Sequence, residues 1–324
     1  MVLAAAAAMG TLGPLAGVAS AAGVGSATFS ALRAAVGASL LGLLLLWAGQ
    51  PHIRLRGLAA RQRALLGVAV AVNGCMNLAL FLAFGEMAVG LVMAVYYTYP
   101  LIVTLVDAWL GREAITPLRL AALALAGVGV AVLLGSRMDP GAHATLPGLV
   151  LAGVAATCHA AYLLAVRGGF DDVPGVQATS LVLAGGILIS GTGAVLLGEL
   201  ASVHNWIASP SAWLAVAGAG TLGALPKVWV IGGVRRIGST RAALAMTFEP
   251  LVAVVVAAVL LGQWLRPVEL LGGAAILAAM TFVQSGARGG SSVPGHPDSE
   301  RDSAPPVGAV AAPATPANPL DAPR

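Results

Sequence analysis

Two charged residues stand inside apolar sequence, where charge is costly. Lys227, the only lysine in the chain, lies eight residues before Arg235, and Glu249 lies eight residues after Arg241. At the rise of an α-helix, each lies roughly 12 Å in from neighbouring helix ends. Opposite charges at one depth on adjacent antiparallel helices can pair, whereas either alone carries a large desolvation cost. A cation at such a depth can hold a carboxylate or another anionic group. A carboxylate beside it can neutralise that cation or exchange a proton. The competing readings are a fixed structural salt bridge and a Lys227 that snorkels to the interface.

Polar groups of weaker cost cluster elsewhere in apolar sequence. Tyr96, Tyr97 and Tyr99, three of the four tyrosines, directly precede Pro100. Proline frees a carbonyl one turn earlier and can kink a helix, and buried phenols need partners. Tyr96 and Tyr99 read as cavity wall or as helix packing in equal measure, with Tyr97 and Tyr162 behind them. Asn73 and Asn77, four apart, share one helix face. Arg33 sits about two turns inside its apolar run; a structural or snorkelling role is preferred over anion binding. His159 can titrate near neutral pH, against the blander reading of a hydrogen-bonded packing residue. The binding candidates are therefore Lys227, Glu249, Tyr99, Asn77 and Tyr96, and the proton-coupling candidates are Glu249 and His159. The five histidines have no metal-ligand spacing, and no nucleotide-binding loop or catalytic triad is present. No metal, cofactor or enzymatic activity is expected.

The elements that must hold these residues follow from composition. Only 9% of residues are charged and 58% are hydrophobic, with mean hydropathy +0.91; a soluble domain carries roughly 25% charged residues. The apolar runs predict an all-α integral membrane protein of ten transmembrane helices, at 2–20, 25–48, 64–84, 87–110, 118–135, 146–166, 176–198, 211–234, 240–262 and 267–285. Val18 to Ala21 resembles a signal-peptide cleavage site, but no basic region precedes the first run, so that run is expected to stay as a span. Arginine collects in alternate loops (Arg54 to Arg63, Arg112 and Arg119, Arg167, Arg235 to Arg241, Arg288), which places both termini in the cytoplasm. The spread of arginine over many loops argues against nucleic acid as a partner. Trp47, Trp109, Trp206, Trp213 and Trp264 fall near span ends, as an interfacial belt requires. Residues 286–324 are rich in Pro, Ser, Ala and charge and predict a disordered cytoplasmic tail.

The chain also repeats itself. Tyr99-Pro100 corresponds to Glu249-Pro250, and Pro117 to Pro267. The copies, 1–135 and 146–285, hold five spans each; an odd number places them in opposite orientation, as two inverted five-helix repeats. The same register sets Lys227 opposite Asn77 and Glu249 opposite Tyr99, around one central cavity. Phe29 to Arg33, Tyr99-Pro100, Leu110 to Glu113, Gly233 to Ala242, Phe248-Glu249-Pro250 and Leu260 to Gly262 together resemble the EamA type of the drug/metabolite transporter superfamily. Gln263 stands where that family usually has an acidic residue, and Glu113 keeps it in the first copy. The resemblance implies a bacterial inner-membrane exporter of amino acids, related metabolites or drugs, a monomer or homodimer in the lipid bilayer with a small molecule as its substrate. An uncoupled facilitator and a non-transporting scaffold or sensor are the alternatives.

Overall fold

The computed structural model describes residues 2–47, 57–110, 117–136, 144–167, 173–237 and 248–286. Among them the fold is helical, without strands. The helices are α1 (Val2–Gly10), α2 (Leu12–Ala21), α3 (Ser26–Trp47), α4 (Ala60–Glu86), α5 (Val89–Tyr96), α6 (Tyr99–Trp109), α7 (Pro117–Ser136), α8 (Leu146–Arg167), α9 (Gly175–Leu196), α10 (Val203–Trp206), α11 (Pro210–Ile237), α12 (Phe248–Leu261) and α13 (Pro267–Gly286). Five stretches are long and apolar enough to cross a bilayer: Leu3–Ala21, Ser26–Trp47, Ala60–Glu86, Leu146–Val166 and Gly175–Leu196. Val89–Val103, Leu120–Gly129, Phe248–Leu261 and Pro267–Ala279 are shorter apolar helical stretches. Large aliphatic side chains such as Leu46, Leu188, Leu214, Val259 and Leu271 point outward. Apolar surface on that scale needs lipid around it, and the chain is a multi-pass membrane protein.

Two expected spans are interrupted. Between α1 and α2 the Thr11 hydroxyl donates to the Ala8 carbonyl at 2.6 Å. Between α5 and α6 the break falls at Tyr97 and Thr98, ahead of Pro100 rather than as a kink within one helix. The reason is local. Pro100 lies in the first turn of α6, where its missing N–H leaves no bond unmade. Thr98 returns its hydroxyl to the Val95 carbonyl at 2.8 Å.

The loop expected between Gly198 and Pro210 is also more ordered than the sequence alone indicates. It holds a short 3-10 helix (Glu199–Ser202) and α10. Trp206 is buried there rather than lying in an interfacial belt, and its ring meets that of Trp213 at 5.8 Å. Trp47, Trp109, Trp213 and Trp264 remain exposed. The Glu199 carboxylate accepts from the Ala27 and Thr28 amides and from the Thr28 hydroxyl, at 3.1, 2.7 and 2.8 Å. It thereby caps α3 from the other half of the chain. Gln263 does likewise for α5, accepting from the Val89 amide at 3.1 Å.

Packing between the halves comes in matched pairs. The α4 helix lies on α8, and α11 lies on α1 and α2; α4 lies on α9, and α11 on α3. The pairs α3–α9, α7–α13 and α5–α12 each join two elements that the sequence register sets opposite one another. The interior is filled by Phe29, Phe81, Leu41, Leu91 and Ile276.

Candidate functional site

Nine helices, α1 to α5, α8, α9, α11 and α12, surround a cavity of about 310 Å³. Arg33 reaches it from α3, Asn73, Asn77 and Phe81 from α4, Tyr96 from α5, His159 and Tyr162 from α8, and Glu249 from α12. Met9, Leu12, Leu80, Phe84, Met93 and Leu163 supply apolar wall. Helix spacing explains the α4 contribution: Asn73, Asn77 and Phe81 recur every four residues and share one face.

Three polar groupings lie along this wall. In the first, the Asn77 side-chain NH2 donates to the Asn73 carbonyl and to Asn73 Oδ1, at 2.8 and 2.9 Å. That fixes the amide so that its oxygen accepts from Arg33 Nη2. The Arg33 guanidinium also lies over the Phe81 ring, 4.4 Å from its centroid, in cation–π geometry. In the second, the Tyr97 hydroxyl donates to Glu249 Oε2 at 2.7 Å, and Glu249 is buried. In the third, the Tyr96 hydroxyl and His159 Nδ1 stand 2.6 Å apart, with the Met76 sulfur beside them. The hydroxyl donates when that nitrogen is bare and accepts when it carries the proton.

The residues expected from sequence are distributed as follows. Asn77, Tyr96, His159 and Glu249 line the one cavity. Tyr99 stands behind them, its ring 4.3 Å from His159 and 5.7 Å from Tyr96. Lys227 lies in α11, but its side chain falls outside the described residues, and so does its expected pairing with Glu249. Residues 240–247 and the tail beyond 286 also fall outside them.

Sequence reasoning underrated two residues. Arg33 is 6% exposed and turned into the cavity, not snorkelling; its charge inside an apolar run was the signal. Tyr97, ranked below its neighbours, donates a hydrogen bond to Glu249. On one continuous helix Tyr97 would point about 100° away from Tyr96. The break after α5 gathers all three rings instead, with centroids 5.7 to 5.8 Å apart.

A site with a guanidinium, a carboxylate, two amides, phenols and an imidazole, walled by thioether and aromatic groups, can take a small molecule bearing both charges. Known proteins agree with the architecture. The chain is similar to the threonine/homoserine exporter RhtA of Escherichia coli (strain K12), 32% identical over 257 residues, covering 79% of this chain and 81% of that protein. RhtA of Salmonella typhimurium (strain SL1344) is 30% identical over the same length. A solved crystal structure of a protein 22% identical superposes with TM-score 0.55, covering 88% of this chain and 99% of its own. Residues 1–135 and 146–284 each match the model of the EamA-like transporter family. The chain belongs to the EamA-like transporter family.

Proposed function

We propose that this protein exports small amino acids or closely related metabolites across the bacterial inner membrane by alternating access. The observation that carries this reading is a single cavity in which Arg33 and Asn77 from one half of the chain face Glu249 and His159 from the other. The RhtA relatives are named for threonine and homoserine, and we assign substrates of that class here. The moving parts in this reading are two inverted five-helix repeats, 1–135 and 146–285, ten spans in all, followed by a cytoplasmic tail at 286–324. The matched packing of α4–α8 with α11–α1 and α2, and of α4–α9 with α11–α3, supports the repeat, because a two-fold relation maps each contact onto the other. Arginine-bearing loops support two cytoplasmic termini.

In this reading Glu249, Tyr96, Asn77 and Lys227 bind substrate, and Tyr99 backs the binding wall. Glu249 is the proton-coupling group and His159, bonded to Tyr96, the second. Substrate and proton then compete for one carboxylate, which ties their movements together. The test is counterflow. Proteoliposomes loaded with unlabelled threonine, homoserine and other small amino acids should accumulate the labelled solute above equilibrium. Folded protein that accumulates none of them would leave the scaffold or sensor alternative standing.

A further inference from the structure

Arg33 is costly where it stands. Seven residues into α3, it lies roughly 10 Å from the helix end, and only 6% of it is exposed. A guanidinium offers five N–H donors in a planar fork. Among the described residues, Asn77 accepts from Nη2, Phe81 covers one face, and Nε is buried without any acceptor. No described carboxylate pairs with it. A guanidinium taken out of water needs a counter-charge to offset its desolvation, and a planar carboxylate fits its fork bidentately.

The surroundings are built for such a guest. The amide of Asn77 is locked by Asn73 through two hydrogen bonds, so its partner Arg33 is held in one place before any ligand arrives. Gly223 of α11 also lines the cavity, and a Cβ there would come within 3.1 Å of Arg33 Nη1. Glycine leaves the guanidinium accessible where any other residue would crowd it.

We propose that Arg33 is the anchor for a carboxylate of the substrate, a role distinct from that of Lys227. The proposal rests on the transport reading above for its substrate class. It requires that a molecule with its carboxylate masked, such as an amino-acid amide, binds poorly.

The experiment combines binding and transport on purified full-length protein. Binding is read as stabilisation against heat in detergent by threonine and by threoninamide, since a ligand that binds the folded state raises its melting temperature. Transport is read as competition of the same two compounds against labelled threonine. Wild type should prefer threonine by about tenfold or more, the worth of one hydrogen-bonded charge. Arg33→Gln should weaken threonine by about 10- to 100-fold and leave threoninamide within about threefold, so that the preference collapses. Arg33→Lys, which keeps the charge and loses the fork, should fall between and serves if Arg33→Gln does not fold. A folded Arg33→Gln that retains the wild-type preference would overturn the proposal. So would a preference that collapses in Lys227→Gln and survives in Arg33→Gln, or a wild type stabilised equally by both compounds or by neither. Wild-type binding that depends on Arg33 without any counterflow would support the anchor and remove the transport reading instead.

Discussion

At the scale of single residues, the site turns on which hydroxyl serves Glu249. Tyr97 donates to Oε2 at 2.7 Å, and a hydrogen bond to a charged group contributes roughly 1.5–3 kcal/mol. Tyr97→Phe should therefore weaken substrate half-saturation by about tenfold or more, whereas Tyr99→Phe, whose ring packs on His159, should stay within about threefold. Kinetic measurement of the pair decides it; equal effects would return Tyr99 to the place that the repeat register gave it. Glu249 also carries the coupling assignment. Efflux from substrate-loaded proteoliposomes should accelerate when the opposite side is acidified, and Glu249→Gln should abolish that acceleration and weaken counterflow with it, because substrate and proton share the lost carboxylate. Acceleration retained in Glu249→Gln would move coupling to another group.

At the scale of elements, the caps and close approaches decide stability. Glu199 closes the open amides of α3 from a segment 172 residues away in sequence. Glu199→Ala leaves those donors without their carboxylate and should cost about 2 kcal/mol. The readout is the melting temperature in detergent, which should fall by several degrees; a melt within about a degree of wild type would mean that water caps α3 equally well. Gly220 marks a close approach of α11 to α3: a Cβ there would stand 2.9 Å from the Arg33 carbonyl oxygen and would also strike Val36. Gly220→Val should separate these helices at a cost of about 1–3 kcal/mol, lowering the melting temperature and disturbing Arg33 with it. The caps were hard to foresee. Glu199 and Gln263 fall in sequence that reads simply as a break between spans, and neither the α3 nor the α5 end is nearby in the chain.

At the scale of the whole molecule, the repeat and its orientation make one claim. If the halves are inverted and both termini cytoplasmic, a green fluorescent protein fused to either end of the chain should fluoresce, and alkaline phosphatase inserted after Ala201 should be active. A dark terminal fusion with an active phosphatase at the same end would reverse that end. The α4 helix packs on α8 and α9, and α11 on α1, α2 and α3, the pattern that such an inversion requires, and the cavity takes its wall from both halves of the chain.

Sequence by itself determined the class of the protein. Scarce charge and long apolar runs leave no other solvent than lipid, and the matched prolines at 100 and 250 and at 117 and 267 make the internal repeat legible. Sequence also marked Asn77, Tyr96, His159 and Glu249, because a polar group inside an apolar run is costly enough to stand out on its own. Tertiary structure decided how those groups are joined. Cost is a property of one residue and can be read along the chain; partnership depends on which helices meet and at what depth. The break at Tyr97 and Thr98 turned a periodic helix face into a three-ring cluster, and α3 carried Arg33 inward to Asn77 and Phe81 rather than outward to the interface.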